Sequence, residues 1–215
     1  MPMRIDPTYR RAVRHAARLT AISLVYFAAT AMAARKEGPG MHATATGFTI
    51  VESAKVDGAT RADYARAAGL LAQERYAEGI VLMQAVVAKQ PKLTAAHIDL
   101  GIAYAKTDEL DKAEASLKQA LELQPQHPVA WNELGLVQRR LGKLNDARAS
   151  YEKSLAAAPG FHFARLNLAV LCDLYLADAS CALENYLIYQ QVVPGDKQVA
   201  GWIANARSRV EKGGK

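Results

Sequence analysis

Residue types that commonly carry chemistry stand at few places in this 215-residue sequence. Ser150 precedes Lys153 by three positions, a spacing at which a lysine can activate a serine hydroxyl for acyl transfer. His127 and His162 each come shortly after a proline, and imidazole nitrogens are common ligands of transition metals. Whether these residues form a site depends on the elements that position them.

A repeat of constant length organises the middle of the chain. Pro91, Pro125 and Pro159 are evenly spaced, and Pro194 follows one position later than this stride requires, which indicates a one-residue insertion near positions 177–180. The same stride aligns small residues with small ones and large residues with large ones: Gly101, Gly135 and Ala169; Ala113, Ala147 and Ala182; Met83, Leu117, Tyr151 and Tyr186. Small residues let two helices approach closely, large ones fill the space between hairpins, and each proline ends a second helix.

These columns resemble the tetratricopeptide repeat, which has about 34 residues and the signature Trp-x2-Leu-Gly-x2-Tyr, then Ala-x3-Phe, then Pro. The residues that carry the resemblance in one copy are Trp131, Leu134, Gly135, Ala147, Tyr151 and Pro159. The resemblance covers residues 61–194. It implies an all-α fold, a right-handed solenoid of about four helix-turn-helix repeats in which each hairpin covers the apolar face of the next. Residues 195–215 are predicted to form a C-terminal capping helix and tail, because Val199, Trp202, Ile203 and Ala206 make one apolar stripe.

The repeat accounts for the candidate chemical residues without catalysis. Tyr151 is a core position, so Ser150 and Lys153 lie along an ordinary hairpin helix. His97 occupies the column of Trp131 and is expected to pack. No carboxylate cluster accompanies the two histidines that follow prolines. We therefore predict that the chain is not an enzyme, with no catalytic residues, no cofactor and no metal site.

Cys172 and Cys181 are the two cysteines of the chain. They are about equally far from the turn of the fourth hairpin and are therefore expected to face each other. In an oxidising compartment they would form a disulfide. The alternative is two free buried thiols that act as small apolar residues.

The N-terminal segment indicates export. Residues 1–33 carry five arginines against one aspartate, a net of +4, which leaves only +2 of the formal +6 for the remainder and argues against a nucleic-acid partner. Residues 19–34 lack charge, and Ala31-Met32-Ala33 has the small-x-small pattern of a cleavage site. We expect residues 1–33 to be a signal peptide of a periplasmic protein or, alternatively, an inner-membrane anchor facing the periplasm. Residues 34–60 are predicted to be a linker with a β-like run at 48–51.

The stride also predicts a binding groove along the first helices of the hairpins. Its predicted residues are Tyr64, Ile98, Ile102, Asn132, Leu136, Arg139, Arg140, Phe163, Leu166 and Asn167. Tetratricopeptide domains that hold a chaperone's C-terminal carboxylate have lysine, arginine and asparagine on the corresponding columns, whereas these are mainly apolar. We expect a protein or peptide partner with an apolar or amphipathic segment, and Arg139 and Arg140 to favour an acidic flank. The alternative is that Ile98, Ile102 and Leu136 pack against the neighbouring hairpin or against residues 48–51.

The resulting hypothesis is a non-catalytic protein-interaction scaffold or adaptor in the bacterial envelope. The runs Ala130 to Gly135 and Leu171 to Leu176 also resemble those of envelope tetratricopeptide proteins found with TonB-type or gliding machinery. The alternative hypothesis is an accessory subunit that stabilises a larger envelope enzyme or transport complex.

Overall fold

The structure is a computed structural model that describes residues 41–44, 47–50 and 55–213. Within the predicted linker, β1 (Met41–Thr44) pairs antiparallel with β2 (Gly47–Ile50), with Met41 opposite Ile50. Residues 48–50 of the predicted β-like run therefore lie in the second strand of this hairpin, and residue 51 lies outside the described residues. The predicted signal or anchor segment lies outside the described residues. Among the described residues, no helix combines the length and the apolar character that crossing a membrane requires.

Nine helices follow in the described part of the chain. They are α1 (Gly58–Ala72), α2 (Tyr76–Lys89), α3 (Thr94–Lys106), α4 (Leu110–Leu123), α5 (Pro128–Arg140), α6 (Leu144–Ala157), α7 (His162–Leu174), α8 (Ala179–Val192) and α9 (Lys197–Gly213). The first eight form four antiparallel hairpins. Each second helix ends two residues before Pro91, Pro125, Pro159 or Pro194. The all-α helical-repeat fold predicted from the sequence is confirmed.

The turns inside the hairpins repeat the same backbone geometry. Glu74, Asp108 and Gly142, which are separated by the stride of the repeat, adopt positive φ values of 60°, 68° and 76°, and Ala177 has a φ of 54°. A left-handed residue directly after a helix redirects the chain and lets its last carbonyls find N–H donors. The fourth turn spans residues 175–178 where the other three have three residues, which places the inserted residue there.

Close approach within each hairpin explains the small residues of the repeat. A Cβ at Gly101 would lie 2.5 Å from Leu117 Cγ, and one at Gly135 would lie 2.6 Å from Tyr151 Cε1. Leu117 and Tyr151 are fully buried. In the second and third hairpins, the large side chain of the second helix therefore lies directly on the backbone of the first helix.

The described helices divide after Pro125 into two compact units. The first contains α1–α4 and has its core around Ala67, Met83 and Leu117. The second contains α5–α9 and has its core around Tyr151 and Tyr186. In this second unit α9 packs on α8, as expected of the capping helix, and Tyr186 and Trp202 bring their ring centroids to 5.6 Å.

Candidate peptide-binding face

The ten residues of the predicted groove fall into two groups by exposure. Tyr64, Ile98, Asn132, Leu166 and Asn167 are buried. Ile102, Leu136, Arg139 and Phe163 are half-buried, and Arg140 is exposed. Because Ile98 is buried, its side chain is not available to a partner. The surface available to a partner is therefore smaller than the predicted groove.

In the first unit, the predicted groove residue Tyr64 is a structural hydrogen-bond donor. Its hydroxyl donates to Asp99 Oδ2 at 2.6 Å, which joins α1 to α3. Burial raises the pKa of Asp99 to about 7, although the bond from Tyr64 opposes this increase. Ile102, one turn later on α3, is the half-buried residue of the predicted groove in this unit.

In the second unit, three buried side chains connect the first helices of two consecutive hairpins. Asn167 Nδ2 on α7 donates to Asn132 Oδ1 on α5 at 2.9 Å, and Asn132 Nδ2 donates to Glu133 Oε1 at 3.0 Å. The hydrogen bond fixes the alignment of α5 and α7. Because all three side chains are buried, each amide is held in one orientation.

We define the open face as the predicted groove residues of this unit that stay partly or fully exposed: Leu136, Arg139 and Arg140 on α5, and Phe163 on α7. The Arg139 guanidinium lies over the Tyr175 ring, with Cζ 5.5 Å from the ring centroid. Phe163 contacts His162 and Phe161, with centroid distances of 4.1 and 5.7 Å. The open face thus combines apolar and aromatic surface with two guanidinium groups.

One nitrogen of Arg139, on the open face, and the hydroxyl of Tyr151 are donors to which the described part of the chain offers no acceptor. Arg139 Nη1 and the Tyr151 hydroxyl are both buried, and neither has a hydrogen-bond partner among the described residues. Burial raises the pKa of Tyr151, and so does the negative charge of Glu133, whereas the Arg139 charge lowers it. From the sequence, Arg139 was a predicted groove residue, whereas Tyr151 was predicted only to pack in the core. The signal for a polar role was that Tyr151 is a tyrosine, whereas Met83 and Leu117 occupy the equivalent positions of the first two hairpins.

The two cysteines form a disulfide that joins α7 to α8. The Cα atoms of Cys172 and Cys181 are 5.9 Å apart, and Asn185 Nδ2 donates to the Cys181 carbonyl at 2.8 Å. Asp178 caps α8 by accepting from the Cys181 backbone N–H at 3.0 Å. Because both sulfurs are bonded to each other, neither is a thiolate ligand for a metal.

Next to Cys172, the buried carboxylate of Asp173 holds the capping helix. Its Oδ2 accepts from the Tyr186 hydroxyl at 3.1 Å, and its Oδ1 is paired with Arg209 on α9. This pair was not predicted from the sequence. The signals for it were an aspartate within the apolar run Leu168 to Leu174 and an arginine on the predicted capping helix.

The residues considered for chemistry have structural roles in the fold. Ser150 donates to Gln138 Oε1 at 2.6 Å, and the Lys153 ammonium lies 4.3 Å from the centroid of the Trp131 ring. His127 Nδ1 accepts from the Ala130 N–H at the start of α5 at 3.2 Å. His97 Nε2 lies 2.8 Å from the Pro91 carbonyl.

Comparison with known proteins agrees with this architecture. Residues 70–136 and residues 128–161 match two family models, both described as tetratricopeptide repeat. No curated protein sequence matches the chain.

Several solved structures share the fold. The MamA protein superposes with a TM-score of 0.63 at 19% identity, over 71% of this chain and 83% of its own. TTC0263, a thermophilic TPR protein of Thermus thermophilus, superposes with a TM-score of 0.59 at 24% identity, over 68% of this chain and 80% of its own. The first TPR domain of Spaghetti (RPAP3) was solved with the HSP90 peptide SRMEEVD. It superposes with a TM-score of 0.54 at 22% identity, over 57% of this chain and 97% of its own.

The constant stride, the four hairpins and the family matches all lead to one assignment. This chain contains tetratricopeptide repeats and has the tetratricopeptide-repeat fold, which implies a protein–protein interaction scaffold.

Proposed function

We propose that the protein is a non-catalytic adaptor that binds an amphipathic segment of a partner protein on the open face of the second unit. The observation that carries this proposal is the contrast in exposure along α5 and α7. Asn132, Leu166 and Asn167 are buried, whereas Leu136, Arg139, Arg140 and Phe163 remain partly or fully exposed. Apolar side chains flanked by guanidinium groups suit a segment with an apolar stripe and an acidic flank.

The hydrogen bond between Asn132 and Asn167 supports this proposal, because it makes α5 and α7 a rigid base. A binding surface that is already ordered loses less conformational entropy when its partner arrives. The Spaghetti domain, which is similar in fold, was solved with a peptide, and we propose the same kind of ligand, a peptide segment, for this chain.

A charge placed on the open face should abolish binding. We expect Leu136→Asp to lose the partners that co-purify with the tagged protein from its own cells, because an aspartate there must be desolvated against apolar surface. Ala149→Asp, a substitution on α6 outside the open face, is the matched control and should retain them. Unchanged partners for a folded Leu136→Asp protein would exclude the open face. A single partner recovered in fixed stoichiometry would favour the accessory-subunit role.

We further propose that the protein works in the bacterial cell envelope, exported through residues 1–33, in association with a TonB-type or gliding-type machine. The Cys172–Cys181 disulfide supports export, because such bonds persist in oxidising compartments. N-terminal sequencing of the protein from its own cells tests the route. A start at Ala34 is expected for a cleaved signal and a start at Met1 for an anchor. Reduced cysteines in that sample would contradict export.

A further inference from the structure

We propose that Arg139 Nη1 and the Tyr151 hydroxyl together bind a carboxylate of the partner segment, an aspartate or glutamate side chain that enters beside the open face. This inference rests on the proposed function and names the acidic group that the partner must carry. Both donor atoms are buried and have no hydrogen-bond partner within the part of the chain that the structure describes, and they are close enough for the Arg139 charge to act on Tyr151. A buried polar group without a partner is unfavourable, and a ligand that supplies the missing acceptor removes that penalty.

In the fourth hairpin, a carboxylate accepts from a similar pair of donors. There the carboxylate of Asp173 accepts from the Tyr186 hydroxyl at 3.1 Å and is also paired with the Arg209 guanidinium. Tyr186 occupies the column of Tyr151 once the inserted residue of the fourth turn is allowed for. A tyrosine hydroxyl and a guanidinium therefore share one carboxylate in that hairpin. The third hairpin has the same two donor types but no carboxylate bonded to them.

The third hairpin lacks an equivalent of the Asp173 carboxylate because one residue of the repeat differs. Asp173 stands one stride after Arg139, so the column that supplies the carboxylate in the fourth hairpin supplies a cation in the third. Glu133 is close enough for its charge to act on Tyr151, but it does not accept the hydroxyl's hydrogen bond. Its Oε1 instead accepts from Asn132. Because the described residues of the second unit offer no acceptor to this pair, we infer that the partner supplies it.

Packing alone does not explain the hydroxyl of Tyr151. The same column holds Met83 and Leu117 in the first two hairpins, and Leu117 fills the space over Gly101 without any polar atom. Tyr151 lies on Gly135 in the same way. Its hydroxyl therefore adds a donor to a position that the fold fills equally well with an apolar side chain.

The Tyr175 ring lies next to Arg139 at the edge of this site. Arg139 Cζ is 5.5 Å from the ring centroid, and Tyr175 is half-buried. Stacking on an aromatic ring orients a guanidinium while leaving its N–H groups in the plane available for a carboxylate. The site is on a different column from those that the chaperone-binding tetratricopeptide domains use for a C-terminal carboxylate.

Selection from a phage-displayed library of random peptides on the purified full-length protein tests the proposal. The wild type should select peptides with an apolar stripe and an aspartate or glutamate at one fixed position. For a selected peptide, replacing that glutamate by glutamine should weaken binding about tenfold, as expected for loss of a charge-assisted hydrogen bond. On Tyr151→Phe and Arg139→Met proteins, the same replacement should change affinity by less than about twofold.

Tyr189→Phe is the control, because its hydroxyl donates to Asp196 rather than toward the open face, and it should preserve the acidic preference. Tyr151→Phe should not lower the melting temperature, since its hydroxyl has no partner to lose. Selected peptides without an acidic position, or an equal preference on Tyr151→Phe, would overturn the carboxylate site while leaving the open face intact. Failure to select any peptide would overturn both proposals.

Discussion

Two buried titratable side chains, Asp99 and His127, are both stabilised in their neutral forms. Burial raises the pKa of Asp99 to about 7 and lowers the pKa of His127 to about 4. Asp99 accepts the Tyr64 hydroxyl at 2.6 Å, and His127 Nδ1 accepts the Ala130 N–H at 3.2 Å. These groups are structural, and their shifted pKa values make stability depend on pH in opposite directions.

Replacing Asp99 by asparagine should stabilise the protein at neutral and alkaline pH. The folded-state pKa of Asp99 lies above its ordinary value, so the folded state binds more protons. Its contribution to the free energy of unfolding is therefore lost as pH rises from about 4 to about 7, by up to about 4 kcal/mol. Asparagine retains an acceptor for Tyr64. Urea unfolding at several pH values should show the variant more stable above pH about 7 and equal to wild type near pH about 4. A difference that does not vary with pH would contradict the assignment.

Replacing His127 by asparagine should weaken the loss of stability in acid. Burial lowers the pKa of His127 in the folded state. Its contribution to the free energy of unfolding is therefore present above pH about 6.5 and is lost as pH falls toward about 4, by up to about 3 kcal/mol. Asparagine is a good N-cap and does not titrate. The same urea series is the measurement. Because Asp99 and His127 act oppositely, wild type should vary less with pH than either variant, and a wild type that varies more would be the contrary result.

At the scale of elements, the hairpins follow from short-range packing and could be predicted. A glycine on a first helix and a large residue on the second, such as Gly135 and Tyr151, contact each other directly. The prolines fix the helix ends. Which groove positions remain open could not be predicted, because side chains such as Ile98 and Leu166 are buried by neighbours that a single repeat does not specify. Partners such as Asp99 for Tyr64 lie on the next hairpin and depend on side-chain conformation.

The attachment of α9 depends on the pair between Arg209 and Asp173. Replacing Arg209 by methionine should cost about 3 kcal/mol, because the fully buried Asp173 loses its cation on α9. Adding Asp173→Asn should recover much of this loss, since an asparagine still accepts from Tyr186 and carries no charge. Thermal unfolding of the two single variants and the double variant measures the coupling. Additive effects of the two substitutions would show that the pair does not hold the helix.

At the scale of the whole molecule, the disulfide links stability to the redox compartment. Replacing both Cys172 and Cys181 by alanine should lower the free energy of unfolding by about 2–3 kcal/mol, the value expected for a short closed loop. Wild type in excess dithiothreitol should lose a similar amount, whereas the double variant should not respond to the reductant. Equal melting temperatures for the oxidised wild type and the double variant would show that the bond does not contribute to stability.

The formal charge of the chain is concentrated in residues 1–33, which leaves the remainder close to neutral. We therefore expect local chemistry on the open face, rather than a long-range field, to determine which partner the repeats bind. On this account the partner contributes apolar side chains to Leu136 and Phe163 and an acidic side chain to Arg139.

Site-specific photo-cross-linking in the native cells shows whether the open face contacts a partner. A photoreactive amino acid in place of Leu136 should cross-link a partner protein in high yield, and one in place of Ala149 on α6 should not. Peptide mapping of the adduct should find an amphipathic segment with an acidic residue. Equal cross-linking at both positions, or none at Leu136 while the partner still co-purifies, would contradict the account.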